Sequence, residues 1–140
     1  MKQYPKSIKY KKNHKLKLSF YKIMNYKTFL PIKFEYALQC IEPGKILYKH
    51  IEACRKSVRR TLKKKGLFFI RLFPFFSVTK KPLAVRMGKG KGSHSYWIAP
   101  VKKGQIIFEI LSMNNTLSYE ALFKAKSKLP LQTKIIKLKF

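Results

Sequence analysis

The chain has 140 residues, 33 of them Lys or Arg and only 5 acidic, so its formal net charge is +28. A hydrophobic content of 46% and an aromatic content of 14% exclude a disordered basic tail, because disordered chains lack core-forming residues. A compact domain with this charge repels itself unless a polyanion partners it, so length and composition point to one folded module with basic surfaces.

The acids are Glu35, Glu42, Glu52, Glu109 and Glu120, too few and too scattered for internal neutralisation to absorb the excess. The longest apolar stretch, residues 67–76, is interrupted by Arg71 and Pro74. It falls far short of the roughly 20 residues a spanning helix needs, so no membrane insertion is expected. Cys40 and Cys54 form neither a CxxC pair nor a disulfide scaffold. Reduced thiols are expected, with no metal and no cofactor. Lys outnumbers Arg by 28 to 5, a bias that resembles an AT-rich genome, as many organellar genomes are.

Residues 1–33 contain no acid, and their lysines (Lys6, Lys9, Lys11, Lys12 and Lys15 among them) interleave with Tyr4, Tyr10, Tyr21 and Tyr26. Such an arm can follow phosphates while its rings stack on bases or sugars. The rival reading is a mitochondrial presequence, which is also basic and acid-poor. Presequences favour Arg and Ser on an amphipathic helix, whereas this segment has no Arg and no clear helical stripe.

Residues 35–41 partly alternate and read as a strand, closed by Pro43-Gly44. A helix is expected over about 47–65, where Leu47, Ile51, Cys54, Val58 and Leu62 make one apolar stripe. Its other faces carry Arg55, Lys56, Arg59, Arg60, Lys63 and Lys64, and Gly66 is placed to be the C′ residue. Residues 67–73 read as a strand ended by Pro74. Residues 96–101 and 105–111 read as a hairpin turning at Lys102-Lys103-Gly104. Thr116 or Asn115 can cap a second helix with Glu120 in its first turn. Leu117, Ala121, Leu122, Ala125 and Leu129 form its buried side, and Pro130 stops it. Residues 133–140 read as a last strand, with Ile136, Leu138 and Phe140 on one face. Mixed strands and helices without a βα repeat favour an α+β sandwich: a mainly antiparallel sheet, two helices and a basic N-terminal extension.

The segment Lys80-Lys81-Pro82-Leu83-Ala84-Val85-Arg86-Met87-Gly88-Lys89-Gly90-Lys91-Gly92 carries the functional argument. Gly88, Gly90 and Gly92 permit positive φ and close backbone approach to a surface, while Lys89 and Lys91 neutralise phosphates. Arg86 adds a planar fork suited to phosphate or a guanine edge. A solvated, non-binding loop is the bland alternative. A nucleotide-binding loop fails on spacing, since neither GxxxxGK[ST] nor GxGxxG is present. Phosphoryl transfer would also need carboxylates for its metal, and none lies nearby. Without Asp there is no Ser-His-Asp triad, so Ser93, His94 and Ser95 read as polar loop residues. His14 and His50 read as surface or RNA-facing, and Trp97 as core or a stacking platform.

With those residues in place, KPLAVRMGKGKG at 81–92, followed by Tyr96-Trp97, closely resembles the signature of ribosomal large-subunit protein sixteen of bacteria, chloroplasts and mitochondria. Pro5-Lys6, Lys9-Tyr10 and His14-Lys15 resemble that family's basic opening. Ile51-Glu52-Ala53 with Arg55 and Arg59-Arg60 resembles its first helix. Gly66, Ile70-Arg71, Phe73-Pro74, Phe108-Glu109, Glu120-Ala121 and Lys128-Leu129-Pro130 follow its order, so the likeness covers nearly the whole chain. The resemblance implies an α+β sandwich that binds large-subunit ribosomal RNA near the peptidyl-transferase centre and the aminoacyl-tRNA site. It implies partners in that RNA, aminoacyl-tRNA and neighbouring ribosomal proteins, and it turns the loop of residues 86–92 toward tRNA. In some bacteria the arginine matching Arg86 is hydroxylated.

The chain departs from the family at Leu16-Lys17-Leu18-Ser19-Phe20, where a Gly/Arg-rich stretch is usual, and at Leu47, where the family has a capping Thr. This divergence and the Lys bias favour a mitochondrial ribosome over a plastid or bacterial one. The family opening begins at Pro5, which favours an organelle-encoded protein or one that functions without cleavage. The expected organisation is an RNA-contacting extension over 1–33 and one α+β domain over 34–140. The expected RNA-binding residues are Lys6, Lys9, Lys11, Lys12, His14, Lys15, Arg55, Arg59, Arg60, Lys63 and Lys64. The tRNA-facing set is Arg86, Met87, Gly88, Lys89, Gly90, Lys91 and Gly92. The function expected is structural rather than enzymatic, with a transient RNA-binding assembly factor as the alternative.

Overall fold

A computed structural model describes residues 5, 8–16 and 35–137. Among the described residues, two helices and two sheets make a mixed α+β sandwich. The strands are β1 (Tyr36–Cys40), β2 (Gly44–Leu47), β3 (Gly66–Ile70), β4 (Phe76–Lys80), β5 (Ser93–Val101), β6 (Ile106–Ser112) and β7 (Thr133–Lys137). The helices are α1 (Tyr48–Leu62) and α2 (Asn115–Lys126). One sheet runs β3-β6-β1-β7 and the other β2-β5-β4, with antiparallel neighbours throughout. No described helix is long and apolar enough to cross a membrane.

The apolar stripe of α1 behaves as its spacing predicts, with Ile51, Cys54, Val58 and Leu62 buried. Leu47 sits outside the helix as its N-cap and makes no side-chain cap bond. The helix ends differently from the expectation. Lys63 and Lys64, not Gly66, take positive φ, at 43° and 70°. Gly66 instead opens β3, where a Cβ would stand 2.8 Å from the Leu111 carbonyl oxygen. Close strand approach, rather than a helix cap, requires that glycine.

Helix α2 packs against α1 through small residues. Ser118, Ala121 and Ala125 are buried, and the Cys54 Sγ donates to the Ala125 carbonyl at 3.4 Å. Burial pushes the Cys54 thiol up to about 12, so it stays protonated at neutral pH. Both cysteines are free and buried. The cap of α2 is Asn114, whose side chain accepts from the Thr116 N–H at 3.1 Å. It stands before both expected candidates, and Glu120 falls beyond the first turn.

The expected hairpin over 96–111 is corrected. β5 pairs with β2 and β4, whereas β6 pairs with β1 and β3, so the turn between them passes the chain from one sheet to the other. That turn is tied to β1: the Gly104 N–H donates to the Cys40 carbonyl at 2.7 Å, and Gln39 Nε2 to the Gly104 carbonyl at 2.6 Å. β6 lies between two strands and is buried on both faces over Ile106, Ile107, Phe108, Glu109 and Ile110. β7 forms over Thr133–Lys137 with Ile136 and Lys137 on opposite faces, as expected; Ile136 pairs with Ala37, while Ile135, paired with Leu38 on the other face, packs against the core. Leu138 and Phe140 lie outside the described residues. Ser93, His94 and Ser95 belong to β5 rather than to a loop.

One charge pair is built into this core. Glu109 is fully buried and Arg71 donates to it from Nη1 at 2.8 Å. Deleting one partner of a buried pair strands the other, so Glu109→Ala is expected to lower unfolding free energy by about 3–5 kcal/mol in denaturant titration. On α1, Val58→Asp buries an unpaired carboxylate and should cost on the order of 4 kcal/mol, while exposed Lys56→Ala stays within about 0.5. Equal loss of helical signal and melting temperature in both variants would contradict the α1 register.

Candidate nucleic-acid interface

The Gly/Lys segment is the connection of a strand pair rather than a free linker. β4 and β5 pair up to Thr79↔His94 and Lys80↔Ser93, and residues 81–92 close the end. Gly92 locks the base: a Cβ there would stand 2.7 Å from the Lys80 carbonyl carbon and oxygen. Its smallness serves contact within the protein. At the tip, Gly88, Lys89 and Gly90 take φ of 98°, 52° and 78°, and a Cβ on either glycine would meet open space. Those two glycines are needed for backbone shape. Lys81 Nζ donates to the Gly88 carbonyl at 2.5 Å and folds the tip over its own stem. Arg86, Met87, Lys89 and Lys91 are exposed.

The basic arm, residues 8–16, has no regular secondary structure and docks on this hairpin. Ser77 Oγ in β4 donates to the Lys11 carbonyl. Lys12 Nζ donates to the Lys91 carbonyl at 3.3 Å, and Lys91 Nζ donates back to the Asn13 carbonyl. Each lysine therefore bonds the other segment's backbone. An ammonium has three donors, so both lysines keep protons for a phosphate. Lys9, Tyr10, Lys11, His14 and Lys15 stand exposed along the arm, with Lys9 Nζ 5.5 Å from the Tyr10 ring centre. Trp97 is half-buried against His94, ring centres 4.6 Å apart, and Tyr96 is exposed beside them.

The structure thus joins two residue sets that the sequence left apart: the arm (Lys9, Lys11, Lys12, His14, Lys15) and the loop (residues 86–92). Lys6 lies outside the described residues, as does the divergent stretch beyond Leu16 up to residue 34. Among the described residues, no hydrogen bond or ion pair joins the α1 cations to them. Arg59, Arg60, Lys63 and Lys64 are exposed. The Arg55 fork is occupied by Glu52, with Nη2–Oε1 at 2.5 Å and Nε–Oε2 at 2.9 Å. Those hydrogen bonds hold the Glu52 carboxyl below its ordinary range. Ser77 and Lys81 were not legible as site residues, because their partners are backbone carbonyls that leave no mark in a sequence. Among the described residues no group of three His, Cys or Glu could hold a metal ion.

If arm and loop act as one surface, Lys12→Ala and Lys91→Ala should be coupled in RNA affinity by about 0.5–3 kcal/mol. Lys12→Ala and Arg60→Ala, which share no partner, should instead add within about 0.5 kcal/mol. Filter binding at fixed salt measures both cycles, and strict additivity in the first would separate the arm from the loop.

Comparison with known proteins matches residues 4–136 to the family model described as ribosomal protein L16p/L10e. Among similar relatives is the large ribosomal subunit protein uL16 of Pelagibacter ubique, 42% identical over 137 residues, covering 95% of this chain and 96% of that protein. The uL16 of Thermosipho africanus is 44% identical over 134 residues, covering 95% and 92%. The uL16c of Rhodomonas salina is 47% identical over 106 residues, covering 76% and 77%. A match of this extent, over the arm, the loop and both helices alike, places the chain in the ribosomal protein L16p/L10e family, a family of ribosomal proteins rather than of enzymes.

Proposed function

We propose that this chain is an RNA-binding constituent of the large ribosomal subunit, and that its interlocked arm and loop form the main RNA-facing surface. The carrying observation is the reciprocal bonding of Lys12 and Lys91, which fuses two acid-free segments into one cationic face. Phosphates position on the lysines, while exposed Tyr10, His14 and Tyr96 offer rings to unstacked bases. On this reading the face lies near the peptidyl-transferase centre and aminoacyl-tRNA site, with Arg86, Met87, Gly88, Lys89, Gly90, Lys91 and Gly92 turned toward tRNA. The relatives' names, as large-subunit proteins, support the assembly. The excess of Lys over Arg and the divergent stretch from Leu16 support a mitochondrial ribosome, and neighbouring ribosomal proteins are further partners of the chain on this reading.

The loop tip is detached from the core, so changing it separates function from folding. Arg86→Ala should leave incorporation into large subunits at normal stoichiometry after a salt wash. It should lower aminoacyl-tRNA affinity of the purified ribosomes by about tenfold, the equivalent of one charge-assisted contact. Gly88→Val with Gly90→Val should do the same by straining positive φ. Wild-type tRNA affinity in both would reduce the loop to a solvated connector. Loss of the wild-type protein from subunits in the salt wash would favour a transient assembly factor.

A further inference from the structure

A second cationic surface lies between the helices. The open groove between α1 and α2, about 920 Å³ in volume, is lined by Lys56, Arg60, Lys63 and Lys65 from one side and by Lys124 and Lys128 from the other. Its one acid, Glu120, is already paired with Lys124 one turn away. Lys63 and Lys64 take positive φ directly after α1, and Lys63 and Lys65 line the groove. Six like charges facing one cleft repel one another, and among the described residues that line it Glu120 is the one acid that answers them.

We propose that this groove docks the sugar–phosphate backbone of an RNA duplex, separately from the arm and loop. The choice of a duplex rests on what the groove lacks. No Phe, Tyr, Trp or His lines it, so unstacked bases find no platform. Single-strand and loop recognition depends on such rings, whereas duplex RNA is met through phosphates and 2′-hydroxyls. The arm–loop face carries rings and suits exposed bases; the helix groove carries lysines and hydroxyls and suits a paired backbone. Charge complementarity sets the occupant, and Lys124 on α2 with Lys128 just beyond it extend to the second helix a role that the sequence reading gave, among the helices, to α1 alone. The inference rests on the RNA-binding reading only for the identity of the polymer.

The test uses the full chain with two probes, a blunt RNA duplex without loops and one of its strands alone. The groove variant carries Lys56→Gln, Arg60→Gln, Lys124→Gln and Lys128→Gln; the comparator carries Lys9→Gln, Lys12→Gln, Lys89→Gln and Lys91→Gln. The groove variant should lose at least about tenfold in duplex affinity, with a log-log salt slope shallower by roughly 0.9 per phosphate contact removed. Its single-strand affinity should stay within about twofold, and the comparator should show the opposite preference. Equal losses on both probes, or wild-type duplex binding by the groove variant, would overturn the proposal. So would an acidic peptide that displaces the duplex through the groove with equal affinity, since that marks a protein partner. Should the groove variant fold poorly, acetic anhydride footprinting of the wild-type chain decides. Duplex must protect Lys56, Lys124 and Lys128, and unchanged labelling rejects the groove. Salt-washed subunit retention is scored in parallel, so failure of the ribosomal reading is seen independently of the duplex result.

Discussion

Thirty-three cations can be carried by a chain of this size only if nearly all of them stand in water or against an anion, because a buried unpaired charge is prohibitively costly. The architecture follows from that constraint. The core cluster is aliphatic and aromatic, with small residues where the helices meet. Among the ion-paired cations of the described residues Arg71 lies deepest, and it is met by Glu109. Glu52 and Glu120 are engaged on the helices by Arg55 and Lys124. Three of the five acids are therefore spent locally, which leaves most of the cations to face outward. A protein arranged in this way is more compatible with a polyanion than with solitude.

The same constraint decides which elements could be read from sequence. α1 was legible because a charged chain that must form a helix segregates its cations, leaving Ile51, Cys54, Val58 and Leu62 in an unmistakable stripe. The β5–β6 connection was misread because two apolar runs around a short glycine turn normally pair. The discriminating signal was present in β6: five consecutive buried residues, not an alternating pattern, belong to a strand enclosed on both faces. β2 and β4 are four and five residues long and sit in segments with weak alternation, so propensity could not separate them from loop. At β7 the adjacent Ile135 and Ile136 made both parities plausible, and only pairing with β1 settled the face. Asn114, Asn115 and Thr116 are all competent caps, which left the start of α2 ambiguous by a residue or two.

The candidate interface was half legible. Its ingredients, the basic arm and the Gly/Lys loop, stand out in composition. Their union does not, because Lys12, Lys91 and Ser77 bond to backbone carbonyls rather than to complementary side chains. Glycine roles divide in a similar way. Gly88, Gly90 and Gly92 look equivalent in the repeat, yet two serve positive φ in the open and the third serves a tight seat on Lys80. A repeating motif can thus hide one structural and two presentational glycines.

This division bears on how such a loop can work. A tip that must meet a large, slowly exchanging ligand gains from a rigid base, since disorder in the base would be lost again on each encounter. Here the base is held from three sides: by strand pairing at Lys80 and Ser93, by the close fit of Gly92, and by the arm's bonds to Lys91. Beyond it the loop carries the Lys81 bond to the Gly88 carbonyl and a long turn bond from the Val85 N–H to the Pro82 carbonyl at 3.4 Å. The Lys81 bond is solvent-exposed and formed by an ammonium, a group equally able to pair with phosphate. The hairpin is thus a firmly held base ending in an exposed tip, and a lysine's own charge ties that tip back to its stem.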